Sequence, residues 1–265
     1  MKNPESMIES PDSVRKWDRL AAFFEIYPLS VRKLQGRAST GRPALFLLGG
    51  NNGAEAVLLV VRDPVIPQAA LAAVEVEFGG PGNPLLKALP DTLQLSANDH
   101  PALRATAQAF LLEAQGNRCG SSRALDRLGE VLVLMVMRAA IEAGAAVPGL
   151  LAGLAHPELH RVLVAMHDAP AHPWDVDELS DIAGMSRSRF MDLFPRLVGD
   201  PPKAYLTRWR LEFGRRELQK RGAKVKAVAA RSGFGSSEAF SRAFRREFGY
   251  PPMESRSSPS GPLLP

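Results

Sequence analysis

Arg242, Arg245 and Arg246 fall within one short stretch, SGFGSSEAFSRAFRREFGYPP at residues 232–252. Three guanidinium groups so closely spaced could hold a polyanion. Phe240, Phe244 and Phe248 recur at every fourth residue, so a helix here has one apolar stripe and carries its arginines on other faces. Ser236 or Ser237 can cap the start, and Glu238 suits the first turn, where a carboxylate meets the positive helix end. Gly249 fits the stop, and Pro251 and Pro252 prevent continuation. By itself the pattern describes either a solvated surface helix or a reader of a polyanion.

Other reactive side chains are few. The single cysteine, Cys119 in GNRCGSS, excludes an internal disulfide and suits a reducing compartment. It follows Arg118 and precedes a candidate helix start. Both favour thiolate and make it a candidate redox sensor, although a lone loop cysteine is usually just a small residue. His100, His156, His160, His167 and His172 all fall in or beside helical segments and build no metal site. No metal, cofactor or catalytic residue is expected, and the chain reads as a non-enzyme. The opening MKNPESMIES lacks an apolar signal core. The most apolar run, VLVLMVM at 131–137, is far below the roughly 20 residues a bilayer span needs. A soluble cytoplasmic protein without a membrane partner is expected.

Charge is unevenly spread. From Lys203 to Arg246 there are 13 Lys or Arg against three acids, a balance of +10, whereas the whole chain carries +5. A basic segment on a slightly acidic body is the electrostatic footprint of nucleic-acid binding, though a solvated helical face has the same composition.

An internal repeat weighs on that choice. ELSDIAGMSRSRFMDLFPRLVGDPP (178–202) resembles AVAARSGFGSSEAFSRAFRREFGYPP (227–252). Ala183 pairs with Ser232, Gly184 with Gly233, Met185 with Phe234, Phe190 with Phe240, Phe194 with Phe244 and Gly199 with Gly249. Each copy reads as a short helix, a glycine-centred turn and a second helix, which is helix-turn-helix grammar. Small residues before the glycine let the helices approach, the apolar residue after it plugs the gap, and the phenylalanines anchor the second helix. Between the copies, KAYLTRWRLEFGRREL (203–218) predicts a helix striped by Tyr205, Trp209 and Phe213. Gly214 inside it costs roughly 1 kcal/mol relative to Ala, which a close helix–helix approach would explain.

With GMSRSRF, PPKAYLTRWRL and GFGSSEAFSRAFRREFGYPP in place, residues 157–256 resemble the DNA-binding domain of the AraC/XylS family of bacterial transcription regulators. The resemblance implies recognition helices at about 187–198 and 237–248. It also implies base-contacting residues at Arg187, Ser188, Met191 and Asp192 in the first, and Ser237, Glu238, Ser241 and Arg242 in the second. Arg242 suits bidentate readout of guanine, Glu238 could accept from cytosine, and Met191 could touch a thymine methyl. Phosphate contacts fall to Arg189, Lys203, Lys224, Lys226, Arg245 and Arg246. Asp192 departs from the basic residue common there, and pairing with Arg189 or Arg196 would reconcile it. Pro195 removes a backbone hydrogen bond within its helix.

Ahead of this domain, residues 1–13 read as a disordered lead. β-like runs follow at 20–26, 44–50, 54–63, 72–79 and 91–96, with turns at GGNNG and GPGNP. Helices are predicted at 101–115 and 122–143. The second is apolar nearly all round from 131 to 137, so it is buried in its own core or at a subunit seam. VEVEFGGPGNPLLKALPDTLQLS followed by two helices resembles the end of a cupin-type sensor domain, here shortened before residue 72. The expected fold is therefore an α+β domain at 14–150, with shortened cupin-like β-structure plus helices. An all-α domain at 155–256 follows with two helix-turn-helix units, then a disordered tail at 257–265.

The function implied is sequence-specific DNA-binding transcription regulation of activator type, controlled by the N-terminal domain. Its partners would be double-stranded DNA, RNA polymerase, a small-molecule effector and a second copy in a homodimer. The alternative is an interaction protein whose helix-turn-helix pair binds another protein. Asp192 and Pro195 favour it, and Arg242, Arg245, Arg246 and the basic joining helix oppose it.

Overall fold

The computed structural model describes residues 18–34, 42–50, 53–80, 83–116, 118–144 and 148–256. The lead at 1–13, the tail at 257–265 and parts of the GGNNG and GPGNP turns lie outside the described residues. The chain forms two compact units. One is Tyr27–Ala155, and the other joins the described residues up to Ile26 with those from His156 onward.

In the Tyr27–Ala155 unit, strands β1 (Leu29–Lys33), β2 (Ala44–Gly50), β3 (Gly53–Val60), β4 (Ala70–Phe78) and β5 (Thr92–Ser96) form an antiparallel sheet in the order β1-β4-β2-β3-β5. Central β2 pairs Leu45 with Leu59 on one side and with Val74 on the other. It buries four consecutive residues, Ala44–Leu47, as a strand covered on both faces does. Edge strand β1, which escaped the sequence reading, buries only Val31 fully because LSVRK is mostly polar. The short helix α2 (Pro84–Ala88) starts under Asn83. The fully buried Asn83 amide oxygen accepts from the Leu85 and Leu86 N–H groups, and its nitrogen donates to the Phe78 carbonyl at 2.7 Å. Helices α3 (Pro101–Gln115) and α4 (Ser121–Ala143) pack on each other and on the sheet, and α5 (Leu150–Ala155) follows. Within the apolar run, Leu132, Val133, Val136 and Met137 are core, whereas Val131 is 40% exposed and Met135 partly so, as is Leu128 ahead of the run. Among the described residues no helix is long and apolar enough to cross a membrane.

The second unit is all helical: α1 (Ala21–Ile26), α6 (Leu159–Asp168), α7 (Val176–Ala183), α8 (Arg187–Val198), α9 (Pro202–Gln219), α10 (Val225–Arg231), α11 (Ser237–Phe248) and a closing 3-10 turn at Pro252–Arg256. The run at 20–26 is thus a helix, not the expected strand, and it packs on α6 and α9 rather than joining the sheet. Asp18 explains the start: its carboxylate accepts from the Leu20 and Ala21 N–H groups, both at 3.0 Å. Leu20 and Phe23 are buried three residues apart, the spacing of a helix face.

Phe23 enters an aromatic core. Its ring stacks on Trp209 with centroids 6.0 Å apart, and His167 stacks on the same indole at 3.8 Å. His167 Nε2 shares a 2.6 Å hydrogen bond with the Tyr205 hydroxyl, while the Trp209 indole N–H donates to the His167 carbonyl. Complete burial pushes the His167 pKa down to about 3 and the Tyr205 hydroxyl upward, so both are neutral. Tyr205 in turn meets Phe194 edge-on at 5.9 Å. The 155–256 segment, expected to form this domain by itself, therefore shares its core with α1.

Phe23→Ala should destabilise the His156-onward unit by about 3 kcal/mol, as removal of a buried phenylalanine does. Denaturant unfolding followed by tryptophan fluorescence measures this. A loss below about 0.5 kcal/mol, the size of an ordinary surface change, would show that α1 is no part of that core.

Candidate nucleic-acid interface

Two short helix pairs build the candidate surface. In the first, the Asp175 carboxylate caps α7 by accepting from the Glu178 N–H at 2.8 Å. The helix ends at Gly184, whose φ of +67° suits glycine, with the Met185 N–H returning to the Ser180 carbonyl at 3.1 Å. The Ser186 hydroxyl oxygen then caps α8 by accepting from the Arg189 N–H. The second pair repeats this geometry. Gly233 has φ +73°, the Phe234 N–H returns to the Ala229 carbonyl at 2.9 Å, and Ser236 (not Ser237) caps α11. The observed α8 and α11 have the bounds 187–198 and 237–248 implied by the resemblance.

The second helix of each pair is seated by aromatics. Phe190 and Phe194 on α8, like Phe240 and Phe244 on α11, are fully buried with rings 5.4 Å apart. Phe234 plugs the second turn edge-on against Phe240 at 5.3 Å. Gly214 lies where expected for a close approach: a Cβ there would stand 2.7 Å from the Phe240 ring. Ser232, the counterpart of Ala183, is buried beside Gly214, and its hydroxyl has no hydrogen-bond partner among the described residues.

These seats turn the named residues outward. Arg187, Ser188, Met191 and Asp192 are exposed on α8; Glu238 and Arg242 are exposed on α11, with Ser237 and Ser241 half-buried beside them. The two faces differ in charge commitment. Arg187 pairs with Asp177 at 3.1 Å, Arg189 with Glu158 at 3.4 Å and Asp192 with Arg196 at 3.0 Å. The departure at Asp192 is thus met by the arginine one turn later. Pro195 sits inside α8, which continues to Val198. On α11, Arg242, Arg245 and Arg246 are exposed and make no ion pair within 4.0 Å among the described residues, nor do Lys203, Lys224 and Lys226. The Glu238 carboxyl is held below the usual carboxylate range, first by its own backbone N–H and then by the Ser236 and Ser237 hydroxyls.

Two of the three acids in the basic stretch are withdrawn from this surface. Glu212 is buried and accepts from Arg215 Nε at 2.8 Å, and buried Glu217 pairs with Lys220 and Arg231. Cys119 is exposed ahead of α4, in the other unit. Sequence reasoning missed Arg210 and His167, whose partners lie 38 or more residues away. No local sequence signal marks either partnership.

Known proteins carry the same two parts. A helix-turn-helix domain family matches residues 179–258, and a cupin family matches residues 28–142. Over 138 residues the chain is 40% identical to a putative AraC-like transcription regulator of Streptomyces lividans, covering 52% of this chain and 45% of that one. It is 34% identical to the HTH-type transcriptional regulator AlkR of Acinetobacter baylyi, covering 66% and 58%. It is 31% identical to the RCS-specific HTH-type transcriptional activator RclR of Escherichia coli, covering 64% and 62%. The chain spans about half the length of the relatives it matches. It combines a part similar to a cupin family with a part similar to a helix-turn-helix domain family, and the relatives it matches are AraC-like and HTH-type transcription regulators.

The Asp192–Arg196 pair makes α8 a test of charge. On non-specific duplex DNA, Asp192→Asn should tighten binding by a few tenths to about 1 kcal/mol, the range of a screened surface charge. Weaker binding to a specific site, with altered preference at one base pair of it, would instead show that Asp192 accepts from a cytosine.

Proposed function

We propose that this protein is a sequence-specific DNA-binding transcription regulator of activator type, with α8 and α11 lying in successive major grooves on one face of the duplex. The observation that carries this reading is the outward face of α11. There Arg242, Arg245 and Arg246 are exposed and make no ion pair within 4.0 Å among the described residues, opposite the buried Phe240–Phe244 seat. The 18 residues of α9 span about 27 Å, the order of separation that two grooves about 34 Å apart require.

Roles follow from chemistry. Arg187, Ser188, Met191 and Asp192 on α8, and Ser237, Glu238, Ser241 and Arg242 on α11, face base edges. Arg189, Lys203, Lys224, Lys226, Arg245 and Arg246 meet phosphates. Arg242 has the fork for guanine O6 and N7, and Glu238, kept ionised, can accept from cytosine. The activator reading draws support from a relative named as an activator, and it makes RNA polymerase a partner. The cupin match supports control by a small effector through the Tyr27–Ala155 unit.

Selection of bound sites from a random duplex library by the full chain at physiological salt tests this reading. Affinity for the selected site should fall steeply with salt. The log–log slope is roughly −0.9 per neutralised phosphate, hence about −4 or steeper, and a nearly flat response would count against it. Within the selected site, Arg242→Ala should cost about 1–3 kcal/mol and relax preference at one base pair. Lys224→Ala should weaken all sequences about equally. An even loss across the library from Arg242→Ala would remove its base-reading role.

We also propose a homodimer through α4, supported by the outward stripe Leu128, Val131 and Met135. Val131→Glu should give folded monomers in analytical ultracentrifugation. Leu132→Glu, at a fully buried position, should unfold the unit instead. A folded dimer in Val131→Glu would place the seam elsewhere.

A further inference from the structure

Three elements of the double helix-turn-helix unit meet at one guanidinium. Arg210 projects from α9, the helix that joins the two pairs. Its Nε–H donates to the Pro170 carbonyl at 2.6 Å, and an Nη2–H donates to the His172 carbonyl at 2.7 Å. Both carbonyls belong to the loop between α6 and α7, which leads into the first pair. That loop is internally braced. The Trp174 indole N–H donates to the Ala169 carbonyl at 3.0 Å, and the His172 ring meets the Glu178 carboxylate at 2.9 Å. The third element is the turn of the second pair. A Cβ on Gly233 would stand 2.8 Å from the same Pro170 carbonyl and 2.9 Å from Arg210 Cζ.

A planar fork bridging two carbonyls fixes orientation as well as distance, which a lysine ammonium on a flexible stem does not do. The carbonyls come from the first pair's approach and the closely packed glycine from the second pair's turn. The guanidinium therefore keys one pair to the other independently of the phenylalanine seats.

We infer that Arg210 is a positioning residue that sets the relative placement of α8 and α11, and with it the spacing of half-sites the protein accepts. The inference about spacing rests on the DNA-binding reading; the placement itself does not. A one-base-pair change in spacing turns one half-site by about 35° relative to the other, because a helical turn takes about 10.5 base pairs. A junction held by two hydrogen bonds and a close backbone contact would reject that rotation. A loosened one would follow it.

The experiment uses the full chain with Cys119→Ser, so that spin labels can be placed by Ser188→Cys on α8 and Ser241→Cys on α11. Pulsed electron–electron resonance should give one narrow label separation with Arg210 present, and a broadened one in Arg210→Lys. In parallel, the unlabelled chain is titrated with duplexes carrying the selected half-sites at the optimal spacing and one base pair to either side. The unsubstituted chain should discriminate by about tenfold or more, and Arg210→Lys should bind all three nearly alike while holding a single half-site as before. Gly233→Ala, which intrudes on the same junction from the other side, should shift the label separation and serves if the lysine variant does not fold. Unchanged label separation and unchanged spacing preference in folded variants would overturn the inference. Broadening of the separation in a chain that binds no duplex would keep the positioning role and remove the DNA-binding reading instead.

Discussion

Phe240 occupies space that is open only because residue 214 has no side chain: a methyl group there would stand 2.7 Å from its ring. Glycine in the middle of a helix costs roughly 1 kcal/mol in propensity, and the close packing of a fully buried aromatic offsets it. Nine residues earlier on the same helix, Tyr205 meets Phe194 from the other recognition helix. Both outward-facing helices are therefore seated on one rod, α9, by buried aromatics. Side chains such as Arg242 and Met191 point where they do because those seats admit only one rotation of their helix. With cores packed at crystal density, a seat shifted by one methyl turns the whole outward face.

The electrostatics follow from the same seating. Helices that bury one face must place every charge elsewhere, and this chain sorts its charges by cost. Glu212 and Glu217 are buried but held by arginine and lysine partners, so no unpaired charge is enclosed. The pairs on α8 are different in kind. Arg187–Asp177 and Asp192–Arg196 are each about two-thirds exposed, and such pairs contribute between nothing and about 1 kcal/mol. They can be exchanged for a phosphate or a base at little cost. On α11 the arginines make no ion pair within 4.0 Å among the described residues, although Glu238 lies one turn before Arg242 and feels its charge. The two helices thus offer an anion the same fold at different starting charge.

What could be read in advance from the sequence divides along the same physical line. The repeat was legible because each half encodes its own start, turn and stop: Ser186 and Ser236, Gly184 and Gly233, Gly199 and Gly249. The close approach at Gly214 was legible because an interior glycine demands a reason. The strands at 44–50 and 91–96 carried local composition that matched their tertiary role. LAAFFEI misled because paired phenylalanines between apolar residues suit a strand as well as a helix. Only Asp18, a cap lying outside the run, distinguishes the two. The short helix at Pro84–Ala88 depends on Asn83, one residue whose bonds reach back to β4. Arg210 and His167 were beyond reach altogether, since nothing near them in the chain announces partners 38 to 42 residues away. Self-contained signals survive translation into structure; those completed by a distant group do not.

Helix α1 carries this dependence furthest. Six residues are too few for a helix to persist in water, because nucleation fixes several residues for a single hydrogen bond. Its existence requires docking, and the dock is made by Trp209 and His167, which lie on the far side of the cupin unit in the chain. The polypeptide leaves the helical unit at Ile26, builds the sheet and its helices, and returns at His156. Closing so long a loop costs conformational entropy, but the cost grows only logarithmically with length, and the folding of the insert removes much of it. The folded insert supplies the effective concentration that lets a marginal helix find its aromatic partners. In the opposite sense, docking of Phe23 closes the loop whose two ends the insert must bridge. Each unit therefore lowers the entropic cost of ordering the other, through chain connectivity alone.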